Sequence, residues 1–157
     1  MTEKTTISCG VILESNGYIL VGHPTNTNMK LRALPKGRQD LGENHLQTAK
    51  RELYEETAMD LRTLDDSYFS PVAPVSYYSK RHGNKQVRFF HVDVESLPLE
   101  WQKKIHDTEL QCLSEFEPGY PEMDIVEWVN PLLDKNIRFY SHQIDALQWL
   151  QQQKLLS

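Results

Sequence analysis

Two apolar runs near the start of the chain predict a β-hairpin. The runs ISCGVILES and YILVGH are rich in side chains that favour strands. Asn16 and Gly17 lie between them, and both residues tolerate the positive φ angles that a tight hairpin turn requires. We therefore expect strands near 5–15 and 18–23, followed by a loop at 24–31.

The spacing of apolar residues then changes to that of a helix. Asn44 is a favourable N-cap, and Gln47 is placed to bond back to its amide group. Leu46, Ala49 and Leu53 recur at i, i+3 and i+7, the spacing of one helical face. This pattern predicts an amphipathic helix whose apolar stripe packs on a sheet.

The middle of the chain holds two further strand candidates. They lie at 72–79 (VAPVSYYS) and 86–94 (QVRFFHVDV), with residues 81–84 as the hairpin tip between them. Beyond them, residues 99–105 and 109–116 each have the composition of a short helix. The pattern there is weaker, because short apolar runs suit helices and strands equally.

The last part of the chain predicts one more strand, at 124–129, and a final helix that Ser141 caps and that continues through Gln153. Three apolar side chains of this helix are expected to face inward: Ile144, Leu147 and Leu150. Strands mixed with two main helices indicate an α+β or α/β/α layered domain. No internal repeat or linker divides residues 1–157, so we expect a single domain.

Composition and charge narrow the class of protein. The 157 residues, 39% hydrophobic and 25% charged, are typical of one soluble globular domain. The longest apolar runs are far too short to span a membrane, and the N-terminus does not resemble a signal peptide, so we expect no membrane partner. A net charge of −5 argues against a protein that coats nucleic acid, but it allows a nucleotide substrate, because a bound metal ion reverses the local field.

The two cysteines, Cys9 and Cys112, are far apart in the sequence. They indicate two buried thiols rather than a disulfide or a metal site, so we expect a reducing, cytoplasmic compartment. Trp101, Trp128 and Trp149 suit a core or a subunit interface equally, which leaves the oligomeric state open.

The predicted helix, 44–58, carries a dense set of carboxylates. Glu52 and Glu56 lie one above the other at i and i+4, and Glu55 lies about a quarter-turn round. Glu52 and Glu56 project from the flank of the apolar stripe, where they border a cleft between helix and sheet. Like charges at this spacing repel, so they either form a solvated helix face or are neutralised by a cation. Hard oxygen ligands of this kind suit Mg²⁺ or Mn²⁺.

The segment GRQDLGENHLQTAKRELYEETAM resembles the Nudix box, G-x5-E-x7-R-E-U-x-E-E-x-G-U, in which U is a bulky aliphatic residue. These residues fall on the pattern at the correct spacing: Gly37, Glu43, Arg51, Glu52, Leu53, Glu55, Glu56 and Met59. Ala58 stands where the family has the glycine that ends the helix. A left-handed backbone there costs alanine about 1 kcal/mol. Because Ala58 carries no ligand atom, we expect this departure to affect stability or the exit angle of the chain rather than chemistry.

The resemblance implies a Nudix fold, an α/β/α sandwich with a mixed β-sheet, over most of the chain. It also implies a hydrolase that cleaves a nucleoside diphosphate linked to another moiety, with water attacking phosphorus and with Mg²⁺, or Mn²⁺, as the cofactor. A non-catalytic Nudix binding module would be expected to have lost box carboxylates, and none is lost here.

The resemblance also implies roles for residues of the box. Glu52 and Glu56 are implied to bind the metal, with Glu55 sharing it and the Gly37 carbonyl adding a backbone oxygen. Arg51 is implied to orient a carboxylate through a bidentate pair. Three residues of the motif are expected to have a structural role: Glu43, Leu53 and Ala58. Of these, Glu43 is implied to tie the loop to the helix.

Two features outside the box bear on the substrate. The lead-in LPKGR is similar to that of asymmetric dinucleoside tetraphosphate hydrolases and of diphosphoinositol polyphosphate hydrolases. Glu122, six residues before Trp128, is similar to a glutamate that assists metal binding or water activation in the dinucleoside tetraphosphate hydrolases. Asp124 is the alternative candidate for this role. The other possibility for Glu122 is an exposed carboxylate of a loop without a role in chemistry. The substrate that these two similarities imply is therefore a dinucleoside polyphosphate such as diadenosine tetraphosphate, which would be cleaved to ATP and AMP.

The box does not separate this substrate from others, because specificity depends on loops outside it, here expected at 24–33 and 95–121. An RNA 5′ end (pyrophosphohydrolase or decapping activity), a nucleotide sugar, ADP-ribose and an inositol pyrophosphate all stay open as alternatives.

Aromatic and basic residues near the box are candidates for substrate binding. Tyr77 and Tyr78 are adjacent on a predicted strand, so they point to opposite faces. One of them is placed to stack on a nucleobase, unless both pack as structural aromatics. A polyphosphate requires a positive rim, although a single surface lysine is ordinarily solvated. The basic residues expected around the box entrance are Lys36, Arg38, Lys80, Arg81, Lys85 and Arg88.

The histidines and the general base complete the candidates. His91 lies in an apolar strand, where a satisfied core residue is expected more often than a base. His45, near the start of the helix, is placed to approach a phosphate. The choice of general base stays open among four carboxylates. They are Glu52, Glu55, Glu56 and Glu122.

Overall fold

The computed structural model describes residues 4–156, and side chains through residue 154. The strands of this part of the chain are β1 (Thr6–Ser15), β2 (Tyr18–Pro24), β3 (Leu31–Arg32), β4 (Lys36–Arg38), β5 (Ser70–Pro71), β6 (Val75–Ser79), β7 (Gly83–Asp93), β8 (Glu115–Glu117), β9 (Tyr120–Pro121), β10 (Met123–Val129) and β11 (Arg138–Phe139). The helices are α1 (His45–Thr57), α2 (Leu99–Asp107) and α3 (Ser141–Leu156). None of the helices in these residues is both long and apolar enough to span a bilayer.

Strand β1 is central to a mixed seven-stranded sheet. It runs parallel to β7 from Thr6 to Glu14, and it pairs antiparallel with β2 at Glu14 and Ser15. Nearer its start, at residues 8–10, β1 pairs instead with the short strand β4. Because β2 turns away to pair with β10, the two strands of the first hairpin splay apart and β4 lies along the edge of β1 that β2 leaves free.

Two buried clusters lie on opposite faces of this sheet. Successive side chains of a strand point to opposite faces. In β1, Cys9, Val11 and Leu13 therefore pack in the cluster that α1 covers, and Ile12 packs in the cluster that α3 covers. The result is an α/β/α sandwich with a mixed sheet, which confirms the predicted fold class.

Helix α1 begins and ends as the sequence predicts. Asn44 accepts a hydrogen bond from the Gln47 amide at 2.8 Å, and the Gln47 side chain accepts from the Asn44 amide at 2.9 Å. Ala49 and Leu53 are fully buried against the sheet. At the other end, Ala58 has φ 68° and ψ 2°, a left-handed conformation. The predicted hairpin turn is also confirmed, with φ angles of 51° and 87° at its two central residues.

Three element predictions need correction. Residues 109–116 form no helix, because amides of this segment donate to carbonyl groups in the last turn of α1 instead of to one another. The strand predicted at 72–79 starts only at Val75, since Pro74 lacks the amide hydrogen that a ladder requires. Helix α3 begins at Ser141 itself, so Ser141 is not its cap, and Ile144 is 38% exposed while Ala146 and Leu150 face inward.

Both cysteines carry free thiols, but only Cys9 is buried, and Cys112 is half-buried. The expectation of two unpaired thiols is confirmed, and the expectation that both are buried is wrong for Cys112. Its sulfur lies 3.4 Å from the carbonyl oxygen of Ser114, in the segment that replaces the predicted helix.

Replacing Ala58 with glycine is expected to raise the free energy of unfolding by about 0.5–1 kcal/mol, because glycine adopts the left-handed conformation without the Cβ clash. Chemical denaturation of the two proteins measures this change. Ala49→Gly, in the same helix but at a buried interior position, is the matched control and should lower stability by about 1 kcal/mol or more. A loss of stability in Ala58→Gly would contradict the assigned backbone strain.

Candidate active site

Strand β4 brings Gly37 against the carboxylate of Glu52. A Cβ atom built on Gly37 would lie 2.0 Å from the carboxyl carbon of Glu52 and 2.2 Å from each of its oxygens. A side chain at this position would therefore displace the Glu52 carboxylate from its place. The pairing of Gly37 with Cys9 on β1 fixes the position of the strand that supplies it.

Glu56 lies one helical turn further along α1 and is only 3% exposed. One of its oxygens accepts a hydrogen bond from the Lys36 amide at 2.7 Å. Burial, and then the charge on Glu52, raise the pKa of Glu56 well above its ordinary value. Burial likewise raises the pKa of Glu52 to about 7, against the lowering effect of Arg51. Ionising both carboxyl groups therefore costs free energy, which a bound cation would offset.

Arg51 connects the loop before α1 with the carboxylates of the helix. Its Nε and Nη2 donate to the two oxygens of Glu43 at 2.8 and 3.0 Å, which is a bidentate pair. Its Nη1 donates to Glu52 at 2.9 Å and lies 3.2 Å from Glu55. Hydrogen bonding from Arg51 lowers the pKa of Glu43 to about 2. The Arg51 side chain is thus surrounded by carboxylates and fixes their relative positions.

Glu122 precedes β10 and is exposed. Its charge contributes to raising the pKa of both Glu52 and Glu56, after the larger effect of burial, so the structure brings these three carboxylates into one region. Asp124, the alternative to Glu122, has a different partner, since its Oδ1 lies 2.5 Å from Nδ1 of the buried His23. Glu122 thus acts on the carboxylates of α1, whereas Asp124 is paired with His23.

Glu52 and Glu56 are suitable ligands for a divalent cation, but other groups of the protein already donate hydrogen bonds to their oxygens. Within residues 4–154, no three His, Cys, Asp or Glu side chains are arranged as a metal site. Arg51 and the Lys36 amide instead occupy oxygens of Glu52 and Glu56. The buried Glu56 and the half-buried Glu52 repel each other, with a third carboxylate nearby. They are nevertheless hard oxygen donors in a place that favours added positive charge.

Basic side chains lie on one flank of the carboxylates. Burial lowers the pKa of Lys36, and the nearby charges of Glu56 and Glu52 oppose that shift. Burial, then the charges of Lys36 and Arg38, lower the pKa of Lys85. These three cations therefore form one cluster beside the site.

The other basic candidates lie further along the same strands. Lys80 and Arg81 are exposed residues of the turn between β6 and β7. The pKa of His82 is lowered first by desolvation and then by the charges of Lys85, Arg81 and Arg38. Arg88 donates to the Gln86 side chain at 3.0 Å.

A stack of three rings lies next to the basic cluster. Tyr77 stacks on His142 with ring centroids 4.1 Å apart and planes tilted by 12°, and Tyr140 stacks on the same imidazole at 5.5 Å. Burial, then Lys36 and Lys85, lower the pKa of His142 to about 4, which places the stack beside these cations. We call Tyr77, Tyr140 and His142 the aromatic stack.

Sequence reasoning identified only part of this stack. Tyr78 points to the other face of β6, as the alternation predicts, and is 65% exposed. Tyr140 and His142 lie at the start of α3, and no local signal connects them with Tyr77. His91 is a satisfied residue, 2.8 Å from the carboxylate of Glu14.

Comparisons with known proteins agree with this architecture. The family model described as the NUDIX domain matches residues 4–150. Among curated proteins, no sequence matches the chain.

Three solved structures have a similar fold. The MutT NUDIX hydrolase from Burkholderia pseudomallei is 17% identical, with a TM-score of 0.68 and coverage of 94% of this chain and 99% of that one. An Ap4A hydrolase from C. elegans, solved as a binary complex, is 16% identical, with a TM-score of 0.67 and coverage of 98% and 100%. A bifunctional NMN adenylyltransferase/ADP ribose pyrophosphatase from Francisella tularensis, complexed with AMP and a Mn ion, is 20% identical, with a TM-score of 0.67 and coverage of 97% of this chain and 42% of that one. At these identities the likeness shows the fold.

The Glu43–Arg51 pair is expected to make stability depend on acid pH. Because the pKa of Glu43 is lower in the folded protein, its contribution is fully present above about pH 4.5 and is lost as the pH falls towards 2. Glu43→Gln should therefore cost about 1–2 kcal/mol at pH 7 and progressively less below pH 4.5. Urea unfolding of both proteins from pH 7 to pH 2.5 measures the difference. Glu109→Gln, at an exposed position, is the control, and a Glu43→Gln deficit that stayed constant with pH would contradict the assignment.

Proposed function

The chain belongs to the Nudix family of hydrolases, and we propose that it cleaves a dinucleoside polyphosphate, such as diadenosine tetraphosphate, to ATP and AMP with the aid of a divalent metal ion. The observation that carries this proposal is the order of groups across the site. The aromatic stack is followed by the basic cluster of Lys36 and Lys85, and then by the half-buried Glu52 and the buried Glu56. This order matches a base, a polyphosphate and a cleavage centre.

The residues that would hold the metal ion are Glu52 and Glu56, with Glu55 and the Gly37 carbonyl as further oxygen ligands. The raised pKa values of the two buried carboxyl groups support this assignment, because an added cation favours their ionised forms. When bound, Mg²⁺ or Mn²⁺ supplies the positive charge that stabilises charge developing on the phosphate oxygens. The Mn ion in the Francisella tularensis structure belongs to that protein and makes the same metal a reasonable test here.

The chain's own residues position the reacting groups. Arg51 holds Glu52 and Glu55 through its Nη1, so rotation of either carboxylate would break a charge-assisted hydrogen bond. Of the four eligible bases, three have oxygens engaged by Arg51 or by the Lys36 amide. Glu122 is exposed and makes no side-chain hydrogen bond within residues 4–154. We therefore assign the transfer of a proton from the attacking water to Glu122.

Lys36 and Lys85 would bind phosphate oxygens, with Arg38 and the turn residues Lys80 and Arg81 extending the positive rim outward. The half-buried position of Lys36 strengthens its attraction for an anion, because the local dielectric constant is lower than in water. Tyr77 would contribute to binding a nucleobase through the aromatic stack, by contacts worth about 1–3 kcal/mol per base.

ADP-ribose is the second candidate substrate, because it presents one base and one pyrophosphate to the same order of groups. An inositol pyrophosphate has no flat ring for the aromatic stack and is less well matched. An RNA 5′ end is tested by the assay below, and a nucleotide sugar shares the base and the pyrophosphate of ADP-ribose. Two free thiols fit the proposed placement in a reducing, cytoplasmic compartment.

The substrate is tested by product analysis on an ion-exchange column. Purified protein with MgCl₂ is incubated separately with diadenosine tetraphosphate, ADP-ribose, a 5′-triphosphorylated RNA and an inositol pyrophosphate. We expect ATP plus AMP from the first substrate at the highest kcat/KM. Faster release of AMP and ribose 5-phosphate from ADP-ribose would move the assignment to the second candidate, and parallel assays in MnCl₂ establish the metal preference.

Replacing Gly37 with alanine is expected to lower kcat by about 10²-fold, because the added methyl group displaces the Glu52 carboxylate from its place. Steady-state kinetics measure this loss, and circular dichroism verifies that the fold is kept. Gly42→Ala is the matched control. A Cβ there meets no atom within 4 Å, but φ is +86°, so it should lose stability and keep its turnover. Unchanged kcat in Gly37→Ala would contradict the role given to Glu52.

A further inference from the structure

The β8–β9 hairpin carries two exposed aromatic rings that no part of the proposed site uses. Phe116 and Tyr120 contact each other, with centroids 5.9 Å apart and planes tilted by 36°. Phe116 is 49% exposed and Tyr120 is 54% exposed. The cavity beside the hairpin is lined by other residues, including Glu115 and Pro121. The two rings thus leave about half of their surface accessible, and an aromatic face is a surface on which a flat ring stacks.

The hairpin is fixed to the carboxylate region by backbone hydrogen bonds. The amides of Leu113 and Ser114 donate to the Glu55 carbonyl at 2.7 and 3.0 Å, and the Glu122 amide donates to the Ser114 carbonyl at 3.0 Å. Tyr120 is two residues from Glu122, so their Cα atoms are at most about 7 Å apart. The backbone that carries the ring pair therefore lies next to the residue assigned as base.

The hairpin and the aromatic stack approach the carboxylates from different parts of the fold. The charge of Lys36 lowers the pKa of His142 in the aromatic stack, and Lys36 also interacts electrostatically with Glu52 and Glu56. The charge of Glu122, at the base of the hairpin, raises the pKa of the same two carboxyl groups. The stack comes from β6 and the start of α3, whereas the hairpin is bonded to the end of α1. Two separate aromatic sites thus adjoin one pair of carboxylates.

Charge restricts what the hairpin can bind. Strand β8 of the hairpin carries Glu115 and Glu117, and the whole segment from residue 105 to 134 contains no lysine or arginine. A phosphate group would be repelled there, whereas the basic cluster on the other flank attracts one. The ligand of the hairpin must therefore present an uncharged flat ring without a phosphate beyond it. A terminal nucleobase meets this requirement, and a continuing RNA strand does not.

We propose that Phe116 and Tyr120 form the binding site for the second nucleobase of a two-ended substrate, whose first nucleobase binds at the aromatic stack. This inference rests on the proposed function, since it requires a dinucleoside polyphosphate. It makes the hairpin a determinant of specificity for two-ended substrates over nucleotides that end in a free phosphate.

The test compares two substrates of equal polyphosphate length, diadenosine tetraphosphate and adenosine 5′-tetraphosphate. In the variant with Phe116→Ala and Tyr120→Ala, the KM for the dinucleotide should rise about tenfold, the size expected for losing one stacked base. The KM for the mononucleotide, or its inhibition constant if it is not cleaved, should change less than twofold, and kcat for the dinucleotide should stay the same. The conservative variant with Phe116→Tyr and Tyr120→Phe should retain the KM of the wild type.

Tyr18→Ala is the control variant, because Tyr18 is a similarly exposed aromatic residue. It lies at the start of β2, whereas Met123, the neighbour of Glu122, pairs with the end of that strand. Thermal melting verifies that each variant is folded. An unchanged KM for the dinucleotide would overturn the hairpin site while leaving the proposed function in place. An equal rise for both substrates would also overturn it, because that pattern indicates displacement of Glu122. A wild-type protein that cleaves no dinucleoside polyphosphate would overturn the proposed function, and the second base site with it.

Discussion

The close approach of the Glu52 carboxylate to the backbone of Gly37 is the contact on which the rest of the site depends. It requires a strand without a side chain directly beneath α1. The sheet provides that strand because β2 turns away from β1 towards β10, which leaves an edge of β1 free for β4. The same strand then places the Lys36 amide within hydrogen-bonding distance of Glu56. One short strand thus contacts Glu52 and bonds Glu56.

The opposite pKa shifts of neighbouring carboxyl groups follow from where each group lies relative to Arg51. Glu43 receives two charge-assisted hydrogen bonds from Arg51, and its pKa falls to about 2. Glu52 receives one, but burial outweighs it and raises its pKa to about 7. The guanidinium group therefore gives Glu43 a fixed structural role, while Glu52 and Glu56 keep an affinity for positive charge. That difference separates Glu43, which Arg51 holds in place, from Glu52 and Glu56, which we propose as ligands of the metal ion.

The surroundings of the carboxylates come from segments far apart in the sequence. The basic and aromatic side chains on one flank belong to β4, β6, β7 and the start of α3. The segment on the other flank is bonded to the last turn of α1 and carries no positive charge between residues 105 and 134. Phosphate groups are favoured on the first flank and disfavoured on the second. This asymmetry of charge lies outside the motif and underlies the two base sites that we propose.

Features that depend on near neighbours could be predicted from the sequence alone. The turn at Asn16 and Gly17, the capping box at Asn44 and the left-handed Ala58 are all fixed by local hydrogen bonding and backbone sterics. The spacing of the glutamates on α1 likewise follows from the helical period. These features were sufficient to identify the carboxylate motif, and the strand and helix pattern, together with the family that the motif resembles, indicated the fold class.

Only the tertiary structure decided the features that depend on distant partners. Residues 109–116 have a helical composition, but the carbonyl groups of α1 accept their amide hydrogens and keep the segment extended. His142 stacks on Tyr77 because α3 packs against β6, and Asp124 bonds His23 because β10 pairs with β2. Such contacts are set by which surfaces the sheet brings together, and no spacing along the chain records them.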